Sequence, residues 1–126
     1  MKRIITISIL FLFVLFLSIL ELKVLASTVS SFTSDIKKIE TLVNSENLDN
    51  AIIKSSELSQ KWVKTRKTLS LFTDHEPLQE LDESFALIEA NLSQNQIEDF
   101  FGVSAVARFK LNFLIDSSLP TIKNIL

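Results

Sequence analysis

Residues 22–43 read LKVLASTVSSFTSDIKKIETLV. Their apolar positions fall at Leu22, Leu25, Val29, Phe32, Ile36, Ile39 and Val43. The steps alternate between three and four residues, which lines one face of an α-helix. A half-buried strand would need every second residue to be apolar. The stripe begins inside a still more apolar stretch. One helix is therefore expected to leave that stretch and continue into a folded domain. Ser27, Thr28, Ser30, Ser31, Thr33 and Ser34 oppose this reading, because they are mediocre helix formers and together would suit a flexible stalk.

Upstream, Met1-Lys2-Arg3 precedes Ile4 to Leu20, a run whose only polar members are Thr6, Ser8 and Ser18. At about 1.5 Å rise per residue the run covers roughly 25 Å, close to the ~30 Å hydrocarbon core of a bilayer. Leu22, Val24 and Leu25 extend it past Glu21 and Lys23, whose long side chains can reach the headgroups. Residues 1–26 are read as a transmembrane anchor or signal segment, and 27–126 as a helical extracytoplasmic domain. Lys2 and Arg3 assign the N-terminus to the cytoplasm and the domain to the outside. The rival is a signal peptide cleaved after Ala26, which would release a secreted domain; Val24-Leu25-Ala26 loosely fits the small-residue rule. The length of the apolar run exceeds a usual signal core and favours the anchor.

Composition supports helices. One glycine and two prolines leave little turn chemistry for a β fold. The absence of cysteine excludes disulfides and thiolate metal sites. A net charge of −2 gives no general attraction to nucleic acid or anionic lipid.

Three more helices are expected. One runs from about Leu48 to Phe72, with Leu48, Ala51, Ser55, Leu58, Trp62, Thr65, Leu69 and Phe72 facing the core, and Ile52 and Ile53 widening the stripe. The next runs from about Pro77 to Leu92, on Leu78, Leu81, Phe85, Ile88 and Leu92. Pro77 disfavours helix at Glu76 and suits a first turn. The last runs from about Gln96 to Ser118, with Pro120 ending it before a tail, Thr121 to Leu126. This helix is apolar around much of its circumference, so it should be central or face a partner. Ser45-Glu46-Asn47 and Ser93-Gln94-Asn95 are short polar breaks, so consecutive helices become antiparallel neighbours. The fold class is all-α: an N-terminal transmembrane helix followed by a small antiparallel bundle of about four helices, as two helical hairpins. Tetratricopeptide units share only the helix-pair outline, and their Gly and Tyr positions are missing.

Lys61-Trp62-Val63-Lys64-Thr65-Arg66-Lys67, then Leu71-Phe72-Thr73-Asp74-His75, then Leu78 to Leu81, and the closing Asn124-Ile125-Leu126 together resemble domain-of-unknown-function family 4363. The resemblance covers nearly the whole chain, hydrophobic N-terminus included. Its most specific piece is the Trp followed by an Asp-His pair. The chain departs from the pattern at Pro77 and Pro120. The resemblance implies a small, membrane-anchored, helical bacterial protein of unestablished function. It brings no catalytic residues.

Chemistry-bearing residues are few. His75 is the only histidine, flanked by Asp74 and Glu76. Neighbouring positions rarely converge on one metal, and Gln79 stands where a zinc-protease motif needs its second histidine. The expected role of His75 is a helix-boundary residue bonded to a carbonyl or carboxylate. Trp62 is expected to be a core anchor whose indole N–H finds one partner. Lys54, Lys61, Lys64, Arg66 and Lys67 crowd one helix, while Thr68 to Ala107 contains acids and no Lys or Arg. Inter-helix pairing and a solvated face are the expected use of these charges, against docking of an oppositely charged partner or of headgroups. Aromatics do not interleave with the basic group, so no nucleic acid is expected. Gly102, the single glycine, makes no phosphate loop. No catalytic, metal-binding or cofactor site is assigned, and no cofactor is expected.

The sequence does not determine the function. A non-enzymatic interaction or scaffold protein, held at the membrane by its N-terminal helix and facing an unknown protein partner, fits best. The alternative is a hydrophobic ligand or lipid binder using Phe100, Phe101, Phe109 and Phe113 of the last helix. An enzyme centred on Asp74-His75-Glu76 ranks third.

Overall fold

The computed structural model describes residues 1–71 and 73–125, with the backbone alone for residues 117–125. It contains four helices: α1 (Lys2–Asn44), α2 (Leu48–Leu69), α3 (His75–Ser93) and α4 (Ile97–Ile125). Helix α1 is 43 residues long and passes through Ala26-Ser27 and the Ser/Thr-rich stretch without a break. The 3,4 stripe explains why. Leu25, Val29, Phe32, Ile36 and Ile39 are all buried, so tertiary packing outweighs the weak propensity of the hydroxyl residues between them.

The helices form an antiparallel ring. Consecutive helices pack together, and α4 closes the ring against α1. Core positions expected on α2 and α3 are buried at Ala51, Ser55, Leu58, Trp62 and Leu69, and at Leu78, Leu81, Phe85, Ile88 and Leu92. Leu48 and Ile52 are half-buried, whereas Ile53 points to solvent and does not widen the stripe. Phe72 lies outside the described residues. Across the middle of the core three rings meet. Phe32 lies edge-on to Trp62 at 5.6 Å between centroids, and Phe85 approaches Phe32 at 5.5 Å and Trp62 at 5.0 Å. Such contacts add roughly 0.5–1.5 kcal/mol each beyond area burial.

Two turns close without glycine. At the end of α1, Glu46 N–H donates to the Val43 carbonyl and Asn47 N–H to the Leu42 carbonyl. At the end of α3, Asn95 N–H donates to Leu92 and Gln96 N–H to Asn91. Both are Schellman motifs, and both need a left-handed residue. Glu46 has φ 60° and Asn95 φ 57°. Asn adopts this conformation readily, whereas Glu at that position carries strain.

Three expectations need correction. Helix α3 begins at His75, two residues before Pro77. Pro77 then occupies the third helical position, where its missing N–H has no intrahelical acceptor to lose. Helix α4 runs through Pro120 to Ile125, so Pro120 does not end it. The φ of proline is already helical, and the loss is confined to the local backbone ladder. Helix α4 is also not central. One face, with Phe100, Ala107, Leu111 and Leu114, is buried, while Val106, Phe109 and Phe113 are exposed.

Candidate functional site

Three of the residues singled out above, Trp62, Arg66 and His75, gather between α2 and α3. The spacing of α2 puts Trp62 and Arg66 one turn apart, on the edge that faces α3. There Asp82 follows the core residue Leu81. The Trp62 indole N–H donates to Asp82 Oδ1 at 2.6 Å. Arg66 Nε lies 2.9 and 2.8 Å from the two oxygens of the same carboxylate. Arg66 Nη2 is 3.3 Å from His75 Nδ1. A guanidinium can only donate, so a hydrogen bond here requires Nδ1 as the acceptor.

This chain explains the conservative part of the expectation. Trp62 is a buried anchor with one partner, and Arg66 pairs with the acidic helix opposite. His75 differs: it meets a guanidinium rather than a carbonyl or carboxylate. Asp74 and Glu76 flank it but are exposed. Among the described residues, no three His, Asp or Glu side chains are grouped to hold a metal ion. The network is thus an inter-helix clamp. Its Arg66–Asp82 pair is partly solvated, so its contribution is about 1 kcal/mol or less.

The rest of the basic group divides. Lys61 turns toward α1, where Nζ lies 2.7 Å from Asp35 Oδ2 and 2.5 Å from Ser31 Oγ. It also lies 4.6 Å from the centre of the Phe32 ring. Lys64 and Lys67 are exposed. On the closing side of the ring, Arg108 Nε of α4 lies 3.1 Å from Glu40 Oε1 of α1. That N–H is not aimed at the oxygen, so the contact is an ion pair without a hydrogen bond. Asp35 and Glu40 are not singled out by the sequence, and Asp82 stands out only as one acid of the stretch from Thr68 to Ala107. Their common signal is a carboxylate beside a core position (Ile36, Ile39 and Leu81), which sets it at the edge of a packed face.

Lys54 lines a surface groove of about 870 Å³ on the outer side of α1. Ala26, Val29, Thr33, Lys37 and Lys38 form its floor and edge, with Asn112 and Ile115 contributed by α4. No phenylalanine lines it. The phenylalanines of α4 divide differently. Phe100 is buried, Phe101 is half-buried against it, and Phe109 and Phe113 stand on the outer face of α4, 72% and 52% exposed. With Val106 they make a 3,4-spaced apolar stripe, the most prominent chemically uncommitted feature of the bundle surface.

The N-terminal half of α1 carries the other large apolar surface. Its side chains from Ile4 to Leu20 lie outside the bundle, most of them exposed. The helix is long and apolar enough to cross a membrane.

No curated protein and no solved structure matches the chain. A family model does, over residues 19–125, which takes in the whole bundle together with the last residues of the apolar run and leaves residues 1–18 outside. The clamp of Trp62, Arg66, His75 and Asp82 lies within that match, and the chain belongs to the family described as Domain of unknown function (DUF4363).

Proposed function

We propose that this protein is a non-enzymatic interaction or scaffold protein, held in the cytoplasmic membrane by α1 with its bundle outside. The observation that carries the reading is the α4 stripe. Val106, Phe109 and Phe113 are exposed at the spacing that seats one helix on another. Arg108 pairs with Glu40, so Phe109 is level with about Ile39 of α1, roughly 22 Å above Val24 at 1.5 Å per residue. A bilayer that ends near Val24 cannot cover the stripe. A helical protein surface can.

Retention of the anchor is supported by Leu25. Its side chain is 1% exposed within the bundle core, and cleavage after Ala26 would remove it. The family match also includes Ile19 to Ala26. Lys2 and Arg3 favour a cytoplasmic N-terminus. The ligand-binding alternative finds less support, because Phe109 and Phe113 are exposed on the outer face of α4 and neither they nor Phe100 and Phe101 line the groove.

The test is site-specific photocrosslinking in native membranes, with the reactive group at Phe109 and, as control, at exposed Gln79. A protein adduct formed from position 109 and absent from 79 is the expected result. Recovery of the monomer alone from both positions would overturn the interaction reading.

A further inference from the structure

The bundle has two ends, and their turns differ. At the end remote from the apolar run, the turns carry Ser45-Glu46 and Gln94-Asn95, all polar and exposed. At the other end, the single turn between α2 and α3 carries Leu71, 82% exposed. The amides of Leu71 and Thr73 are both hydrogen-bonded. Leu71 N–H donates to the Thr68 carbonyl at 3.2 Å and Thr73 N–H to the Leu69 carbonyl at 2.9 Å.

The height of that turn follows from the helix register. Lys61 of α2 contacts Ser31 and Asp35 of α1. The two helices are antiparallel. Ten residues beyond Lys61 is Leu71, and ten residues before Ser31 and Asp35 are Glu21 and Leu25. Leu71 therefore lies level with Lys23, within one helical turn. Helix α4 reaches the same level, since Arg108 pairs with Glu40 and Ile125 lies seventeen residues further on. The exposed apolar length of α1 from Ile4 to Val24 is about 31 Å at 1.5 Å per residue, matching the ~30 Å hydrocarbon core. Its upper limit is the plane that contains Leu71.

We propose that the lower end of the bundle rests on the bilayer, with Leu71 inserted at the boundary between headgroups and hydrocarbon as a second point of contact beside the anchor. This inference rests on the anchored reading of α1. The partner is a lipid surface and the contact is apolar. Charges around this end are mixed, with Lys23 and Lys67 set against Glu21, Asp74 and Glu76, all exposed. The contact therefore needs no anionic lipid and little ionic attraction. A rod fixed at two points holds the bundle at one tilt and presents the α4 stripe at a constant height.

The chain has no cysteine, so single-cysteine variants give clean labels. Ile9→Cys, Leu71→Cys and Gln94→Cys are each labelled with the same environment-sensitive fluorophore. Each full chain is reconstituted in phosphatidylcholine vesicles containing lipids that carry a quencher near the carbonyl region. Trp62 emission verifies that each variant is folded. The expected result is quenching at positions 9 and 71 severalfold stronger than at 94, unchanged by added salt. Quenching at 9 with position 71 no different from 94 overturns the bilayer contact and leaves the anchor standing. Equal, weak quenching at all three positions overturns the anchor and the contact together.

Discussion

The two halves of α1 belong to one continuous helix and face two different surroundings. From Ile4 to Leu20 the side chains are apolar around the whole circumference and lie outside the bundle. From Leu25 to Ile39 only one stripe is apolar, and that stripe is buried by α2, α3 and α4. The bundle leaves the surface of the first half exposed and hides the stripe of the second. Hydroxyl residues mark the change. They are poor helix formers, yet the helix holds because every third or fourth residue beneath them is locked in the core. Secondary structure alone therefore does not separate the apolar run from the bundle; the burial pattern does.

The sharpest way to break this comparison is to damage one half and observe the other. Phe32 touches Trp62 and Phe85 at the centre of the bundle. Phe32→Ala is expected to destabilise the domain by about 3–5 kcal/mol, through lost transfer energy and the cavity left behind. Urea unfolding followed by Trp62 fluorescence measures the loss. Membrane retention should be unchanged, and its loss would mean that the bundle and not the apolar half holds the chain there.

The complementary change is Leu12→Arg, in the middle of the apolar half. An arginine near the centre of a membrane helix costs about 2.5–3.5 kcal/mol on insertion scales. Alkaline extraction of membranes should release more of the variant, while the urea midpoint of the bundle stays in place. A shifted midpoint with unchanged extraction would contradict the division into two halves.

The smallest effect is expected at the remote end of α1. Glu46 holds φ 60° to close the turn into α2. Glu46→Gly relieves that strain, partly offset by the greater unfolded-state freedom of glycine, for a net gain of about 0.5–1 kcal/mol. The urea midpoint should rise slightly with extraction unaffected. A fall would show that the Glu side chain, and not the backbone, matters there.

Much of the fold was legible because it is local. The 3,4 spacing of α1, the stripes of α2 and α3, and the polar breaks all report on residues close together along the chain. The prolines were misread for a related reason. A proline rule concerns the ladder of a helix interior, and Pro77 sits in a first turn where no bond is lost; at Pro120 the helix continues in spite of one lost hydrogen bond. The candidate site was legible only in part. Trp62 declared itself as a core anchor by its place in the stripe. Nothing local linked Trp62, Arg66 and His75 to Asp82, because carboxylates are frequent and only the packing of α2 on α3 selects one.

By itself, the sequence determined that this chain is helical, that its first helix is apolar enough to span a membrane, and which face of α1, α2 and α3 turns inward. Periodicity and hydropathy are properties of a segment, and water acts on each segment separately. Only the tertiary structure decided that Phe109 and Phe113 stand outside the core, that Asp82 joins Trp62 to Arg66, and that Leu71 lies level with the end of the apolar run. Those facts depend on the register between helices, which is settled by interlocking side chains tens of residues apart.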